Sequence, residues 1–134
     1  MLLAFDIGNT DITLGVHDGT SWLHLFRILT HLSTREGDYE AQLRLRFLEN
    51  NLKISNVEQL IISSVVPEKT PTIIDMVREL FGQEPIVLGP AIYPKLGLDI
   101  VSPHEIGTDL VANAVYAYHT YQQDCIVVDF GTAL

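Results

Sequence analysis

The sequence predicts an α/β protein built on a mixed β-sheet. Short apolar segments of strand length open the chain, with no segment of helix length between them. An Asp18-Gly19 pair separates two of these segments, and this pair is a common hairpin turn that indicates antiparallel pairing. From about residue 38 onward, helix-length segments alternate with apolar strand-like segments, which favours parallel pairing in the same sheet.

Three strands are predicted at the start, and together they form an antiparallel meander. Residues 2–5 are a short apolar run that ends in a polar turn. Over residues 12–16 apolar side chains alternate with small or polar ones, which is typical of a half-buried strand. Residues 22–29 form the third strand. Its period of two places four side chains on one side, namely Trp22, His24, Phe26 and Ile28.

Three helices are predicted at residues 38–52, 70–81 and 107–121. In the first, Leu43, Phe47 and Leu48 are expected on one face. Pro71 and Gly82 are typical of the start and the end of the second.

Further strands are predicted between and after these helices. Residues 59–66, which Pro67 ends, and residues 86–88 are rich in Ile, Val and Leu. Residues 89–103 contain three prolines and predict a loop, with a strand-like piece near residues 98–100. Residues 125–128 predict a final strand in which Cys125 is a buried thiol.

Charge and termini exclude several classes of partner. The formal net charge is −9 and the pI about 4.7, and such an acidic surface repels nucleic-acid phosphates. The apolar start lacks a basic segment and stops at Asp6, too short for a signal peptide or a membrane span. We therefore expect a cytoplasmic protein that binds neither nucleic acid nor membrane.

One pattern occurs twice in the chain. Residues 2–10 and residues 125–133 both read as an apolar strand followed by Asp, an apolar residue, Gly and a small polar residue. An Asp at a strand end can hold a hydrated cation beside phosphates. The Gly lets the backbone approach an anion, and the N–H groups of such a turn can surround it.

Each copy alone has a plain interpretation, a strand that ends in an Asp-x-Gly turn. Two copies at equivalent strand ends instead resemble the two phosphate motifs of the actin and sugar-kinase class, one from each duplicated domain. This resemblance implies a ribonuclease-H-like (actin-like ATPase) domain with a mixed five-stranded sheet flanked by helices over residues 1–123. Residues 124–134 would then be the first strand and phosphate turn of a second duplicated domain, which we expect to continue beyond residue 134.

Four segments in order also resemble type III pantothenate kinases. They are residues 6–10 (Asp-Ile-Gly-Asn-Thr), residues 63–67 (Ser-Ser-Val-Val-Pro), residues 103–109 (Pro-His-Glu-Ile-Gly-Thr-Asp) with the helix start that follows, and residues 129–133 (Asp-Phe-Gly-Thr-Ala). The third is similar to the family motif Asn-Pro-x-Glu-x-Gly-Ala-Asp-Arg. The resemblance spans the whole chain, about half the usual length of that family.

This resemblance implies an enzyme that uses ATP to convert pantothenate to 4′-phosphopantothenate, the first step of coenzyme A synthesis. It also implies a homodimer with Mg²⁺ and a monovalent cation, K⁺ or NH₄⁺. Asp109 would be the general base, Asp6 a magnesium ligand and Asp129 a ligand of the monovalent cation. The implied ATP-binding residues are Asp6, Ile7, Gly8, Asn9, Thr10, Asp11, Ile12, Thr13 and Thr132. The implied pantothenate-binding residues are Gly107, Thr108, Asp109 and Leu110.

The residues alone leave alternatives open. Asp109 lies in the first turn of a predicted helix, where a carboxylate is also favoured as a simple cap. Asn113 lies four residues further on and would share a pocket with it. Leu110 replaces the arginine of the family motif. A non-catalytic relative that binds nucleotide as a regulator, and a kinase for a different small alcohol, are therefore competing hypotheses.

Overall fold

The computed structural model describes residues 1–31 and 36–130. A five-stranded sheet of order β3-β2-β1-β4-β5 forms the centre of this region. Its strands are β1 (Leu2–Ile7), β2 (Asp11–His17), β3 (Trp22–Leu29), β4 (Gln59–Ser64) and β5 (Ile86–Val87). The helices are α1 (Glu36–Glu49), α2 (Thr70–Phe81) and α3 (Thr108–Tyr121), with 3₁₀ turns at Ile54–Asn56 and Tyr93–Leu96.

The sheet is mixed, as the sequence predicts. β1 pairs antiparallel with β2, and β2 with β3, whereas β1 pairs parallel with β4, and β4 with β5. The predicted meander, the mixed five-stranded sheet and the flanking helices are therefore confirmed.

The main core lies between one face of the sheet and helices α1 and α2. Alternate residues of each strand point into it, as the period of two requires. Complete burial of one such Leu, Ile or Phe side chain contributes about 1.5–3 kcal/mol to folding. The sheet residues of this core are Leu3, Phe5, Ile7, Ile12, Leu14, Val16, Ile28, Leu60 and Ile62.

Helix α1 faces this core with a different set of side chains from the predicted one. Tyr39, Leu43 and Phe47, spaced four residues apart, are buried, whereas Leu48 is 75% exposed. The prediction for Leu48 is wrong because one further residue turns the side chain about 100° away from this stripe. The helix also ends before residue 52, because Asn51 has a left-handed φ of 55° and the Leu52 N–H turns back to the Phe47 carbonyl.

A β-bulge changes the direction of Trp22. Val16 pairs with His24, but His17 pairs with Trp22, so Leu23 is the extra residue. The predicted side shared by Trp22, His24, Phe26 and Ile28 is therefore wrong for Trp22. Its ring lies over Gly15, on the face of the sheet that points away from the main core.

The later elements follow the predictions, with shorter strands. Pro71 is in the first turn of α2, and Gly82 ends it with a left-handed φ of 65° and an N–H bond to the Arg78 carbonyl. β4 ends at Ser64 rather than at residue 66. No strand forms near residues 98–100, where the loop instead packs Leu98 and Ile100 against a small second core with Tyr93 and Val111.

Residues 122–130 contain neither helix nor strand. The predicted strand over residues 125–128 does not form because this segment pairs with neither edge strand, β3 or β5. Cys125 is exposed, so its prediction as a core thiol is wrong. In the part of the chain that the structure describes, no helix is long and apolar enough to cross a membrane.

Candidate active site

The carboxyl ends of two parallel strands place polar side chains at one edge of the sheet. Asp6 of β1 lies beside Ser63 of β4, and Ile7 lies beside Ser64. Thr108, the first residue of α3, hydrogen-bonds to both serines. This edge is where open α/β sheets bind ligands, because strand ends and helix starts converge there.

A cavity of about 560 Å³ lies between α3 and the face of the sheet opposite the main core. Its apolar wall includes Trp22, Leu25, Ile61, Leu88 and Ala112. Its polar groups come from Asp6, Thr13, Ser63, Asp109 and Asn113, and no described Lys or Arg side chain lines it. The prediction that Asp109 and Asn113, one helical turn apart, line the same pocket is therefore confirmed.

The pKa of Asp6 departs from the ordinary value of an aspartate. Partial desolvation by the surrounding sheet and helix raises the pKa of Asp6, and the negative charges of Asp109 and Asp129 raise it further. Like charges disfavour ionisation of a neighbour, and a cation between them reverses the effect. The negative charges of Asp109 and Asp129 therefore both act on the Asp6 carboxyl.

Asp109 is held at the start of α3. Its Oδ1 accepts the Leu110 N–H at 2.8 Å, and its charge lies in the first turn, where the helix dipole favours an anion. The carboxylate also folds over Gly107, where an added Cβ would overlap Oδ1. One turn further along, Asn113 Nδ2 donates to Asp129 Oδ2 at 3.0 Å. The first turns of α3 therefore connect the two predicted acids, Asp109 and Asp129.

The β1–β2 turn contains the other predicted site residues. The Gly8 N–H donates to the Asp11 carbonyl at 3.0 Å, and a side chain at Gly8 would press against that carbonyl. Asn9 and Thr10 are exposed at the tip. Ile7 and Ile12 are buried in the main core, so only their backbone atoms are available to a ligand. Thr132 lies outside the described residues.

Thr30 supports this turn, and the sequence analysis missed it. The side chain is fully buried, and its Oγ1 donates to the Gly8 carbonyl at 2.7 Å. Its N–H donates to the Thr10 carbonyl at 2.9 Å, and the Tyr39 hydroxyl donates to the Thr30 carbonyl. The only signal for it in the sequence was its position, as a polar residue directly after the edge strand β3.

Replacing Thr30 with Val is expected to destabilise the fold by about 1–3 kcal/mol, because the part-buried Gly8 carbonyl loses its donor. Chemical denaturation measures this change directly. Thr20→Val is the control, since the Thr20 hydroxyl bonds only at an exposed hairpin and its loss is expected to cost less. Equal stability of the two variants would contradict the assigned role of Thr30.

The chain matches the family model described as type III pantothenate kinase over residues 2–134. The chain belongs to the type III pantothenate kinase family. Members of this family are phosphotransferases that use ATP to phosphorylate pantothenate in coenzyme A biosynthesis. The resemblance noted in the sequence is therefore confirmed as a family relationship.

Tyr93 lies close enough to Asp109 to be affected by its charge, and no sequence motif assigned it a role. It is 1% exposed, and its hydroxyl has no hydrogen-bond partner among the described residues. Burial raises the pKa of Tyr93, and the nearby charge of Asp109 raises it further. In the sequence Tyr93 lies near the family's substrate-contacting aromatic but does not align with it. Its hydroxyl is the most evident unsatisfied donor near Asp109.

The Leu110 side chain does not line the main cavity that the Asp109 side chain lines. Its side chain is 47% exposed and lines a separate surface cavity with Asp124 and Cys125. Consecutive helical residues point about 100° apart, so Leu110 faces away when Asp109 faces the main cavity. In this kinase the substitution of the family arginine therefore falls outside the cavity that Asp6 and Asp109 share.

Among the described residues, no preformed metal site lies around Asp6. Within residues 1–31 and 36–130, no three His, Cys, Asp or Glu side chains cluster closely enough to hold an ion. Mg²⁺ in phosphotransferases is held by one or two carboxylates, with water and phosphate oxygens completing its shell. The Asp6 carboxylate supplies hard oxygen donors of this kind.

Proposed function

We propose that the polar end of the main cavity is where the hydroxyl of pantothenate meets the γ-phosphate of ATP, to give 4′-phosphopantothenate. The observation that carries this proposal is the convergence of Asp6 and Asp109 at one end of a largely apolar cavity. An apolar wall suits the carbon body of a small substrate, and convergent polar groups suit its reacting end.

Asp109 is proposed as the general base. Phosphoryl transfer asks the protein mainly for positioning and charge neutralisation, and it needs one group to accept the hydroxyl proton. A carboxylate on a rigid helix start can accept that proton within hydrogen-bond reach. The Leu110 N–H holds Oδ1, which leaves Oδ2 for the substrate hydroxyl.

The β1–β2 turn is proposed to hold the ATP phosphates. Support comes from its tight Gly8 hydrogen bond, its exposed tip and its fixation by Thr30. Asp6, Gly8, Asn9, Thr10, Asp11 and Thr13 can offer side chains or backbone, whereas Ile7 and Ile12 can offer backbone alone. Mg²⁺, where bound by Asp6, neutralises phosphate charge.

The second phosphate motif is proposed to complete the nucleotide site from a duplicated, ribonuclease-H-like domain that begins at residue 124. The repeated Asp-x-Gly pattern supports this, as does the opening meander followed by alternating helices and strands. In this arrangement Asp129 binds the monovalent cation and Thr132 contacts ATP. The bond from Asn113 to Asp129 supports the closeness of the two motifs.

Monovalent cation use gives a prediction for Asp129. The full-length enzyme is expected to be severalfold faster in K⁺ or NH₄⁺ than in Na⁺ at matched ionic strength, because the smaller, more strongly hydrated Na⁺ fits such a site poorly. Asp129→Asn is expected to reduce this difference. Steady-state rates in the three chlorides measure it. Equal rates in all three salts would remove Asp129 from a cation site.

We also propose a cytoplasmic homodimer, as the family resemblance implies. Exposed aromatic residues support a contact surface on α3, since Tyr116, Tyr118 and Tyr121 are each more than half exposed. Tyrosine is enriched in protein interfaces because its ring is apolar and its hydroxyl polar.

The experiment that tests the proposed site is Gly107→Ala in the full-length enzyme. The added Cβ would overlap Asp109 Oδ1 and turn the carboxylate, while the backbone at Gly107 (φ −62°, ψ 141°) suits alanine. We expect kcat to fall by about 10–100-fold, the scale of an ångström-sized misplacement. Gly89→Ala is the matched control, because a Cβ there meets open space. Wild-type kcat for both variants would contradict the proposed site.

A further inference from the structure

The hydroxyl of Thr108 lies against the carboxyl end of β4. Its Oγ1 lies 2.9 Å from Ser63 Oγ, 3.0 Å from the Ser64 nitrogen and 3.1 Å from the Ser64 carbonyl oxygen. All three partners belong to the strand and none to α3, the helix that begins at Thr108. The side chain therefore joins the first residue of the helix to the last two residues of the strand.

These contacts use the full bonding capacity of the hydroxyl. A threonine hydroxyl can donate one hydrogen bond and accept two. Here it accepts from the Ser64 N–H and donates its one hydrogen to the Ser64 carbonyl. Because that hydrogen is used, Ser63 Oγ is the donor that this pattern leaves for the third contact. No donor or acceptor remains for a substrate molecule. Thr108 also does not line the main cavity.

The register of the sheet shows what this junction holds in place. Ser63 lies beside Asp6 in the parallel pairing of β1 and β4, and Asp109 directly follows Thr108. The N-cap residue of α3 is Gly107, which has no side chain with which to cap the helix. The bonds of Thr108 therefore set the position of the first turn of α3, and with it the gap between Asp109 and Asp6.

A second threonine extends the same network away from the cavity. Thr70 Oγ1 donates to Ser64 Oγ at 2.7 Å and also lies 2.9 Å from the Val66 carbonyl. Thr70 begins α2, on the opposite side of the sheet, and it contacts neither Asp109 nor the cavity. It is thus a natural comparison for Thr108, with similar bonds but no neighbouring carboxylate.

We propose that Thr108 is a positioning residue for phosphate transfer, which holds the Asp109 carboxylate at its working distance from Asp6 and makes no contact with pantothenate. This inference rests on the proposed role of Asp109 as the base. It replaces the substrate-binding role that the family resemblance implies for Thr108. A residue of this kind affects the chemical step and leaves substrate binding nearly unchanged.

The test compares Thr108→Val, which keeps the shape and removes the hydroxyl, with Thr108→Ser, which keeps the hydroxyl, in the full-length enzyme. We expect Thr108→Val to lower kcat by about tenfold or more, with the KM for pantothenate within about threefold of wild type. Thr108→Ser is expected to recover most of this loss. Thr70→Val is expected to lower the melting temperature without a matching loss of kcat. If Thr108→Val does not fold, Thr108→Ala replaces it.

A double-variant cycle separates this inference from the proposed role of Asp109. In an Asp109→Asn background, Thr108→Val is expected to cost little further rate, because groups that act as a unit are not additive. An Asp109→Asn enzyme as active as wild type would overturn the role of Asp109 and this inference together. An impaired Asp109→Asn enzyme beside a fully active Thr108→Val enzyme would overturn this inference alone. A raised KM for pantothenate at unchanged kcat would also overturn it, since it would show direct substrate contact.

Discussion

Replacing Asp109 with asparagine in the full-length enzyme is expected to slow phosphate transfer to pantothenate by about 10²–10⁴-fold, the usual contribution of a general base. Asparagine keeps the size of the side chain and an oxygen that can accept the Leu110 N–H. It cannot accept a proton from the substrate at neutral pH. The loss therefore falls on the chemical step, and α3 keeps its start because removing one charge from the first turn of a helix costs only about 0.3–1 kcal/mol.

Transfer of labelled γ-phosphate from ATP to pantothenate measures this loss, with ATP affinity and the melting temperature measured in parallel. ATP affinity is expected to stay close to wild type, because the β1–β2 turn is unchanged. Asp99→Asn is the control, since Asp99 is an exposed acid in the preceding loop and lines no cavity described here. If Asp109→Asn transfers phosphate as fast as wild type, Asp109 serves only to stabilise the first turn of α3.

The second large effect is expected for Asp6→Asn, which removes the proposed magnesium ligand while keeping the side chain's size. We expect kcat/KM for Mg·ATP to fall by about 10²-fold or more, a typical loss when a charge that stabilises the transition state is removed. The fold is expected to gain stability at neutral pH, because desolvation and the like charges of Asp109 and Asp129 raise the pKa of Asp6. An ionised Asp6 thus opposes folding in the absence of a cation.

The sign of this stability effect follows from proton linkage. A carboxyl whose pKa is higher in the folded state holds its proton more tightly there, so it favours folding at low pH. That contribution is lost as the pH rises through the folded pKa. The melting temperatures of wild type and Asp6→Asn, measured without nucleotide or divalent ion, should therefore separate as the pH rises, with the variant higher. A variant that melts below wild type at neutral pH would contradict the electrostatic account of Asp6.

Much of the fold could be predicted because local patterns and tertiary packing agree. A proline lies in the first turn of α2 and a glycine ends the helix, and the Asp18-Gly19 turn joins β2 to β3. The Asp-x-Gly turn after β1 and the helical spacing of Asp109 and Asn113 likewise depend on short-range chemistry. From these features the sequence predicts the strand-end position of Asp6 and the shared helix face of Asp109 and Asn113, and all three line the cavity.

The features that the sequence did not predict depend on contacts between residues that are distant in the sequence. A bulge opposite His17 turns Trp22 to the other face of the sheet, which no period-two pattern in β3 can show. The support from Thr30 to Gly8 spans 22 residues, and the bond from Thr108 to Ser63 spans 45. The apolar run over residues 125–128 has high strand propensity, but propensity forms a strand only where a partner strand is available.

The central claim is that Asp109 accepts the proton of the pantothenate hydroxyl at the edge of the sheet where Asp6 lies. The most direct measurement is the distance between an Asp109 carboxylate oxygen and that hydroxyl, in a crystal structure of the full-length enzyme with pantothenate and a non-hydrolysable ATP analogue. We predict about 2.6–3.2 Å, the reach of a general base, with the β1–β2 turn against the nucleotide phosphates. A hydroxyl bound beyond hydrogen-bond reach of Asp109, with a different side chain in contact with it, would contradict the account.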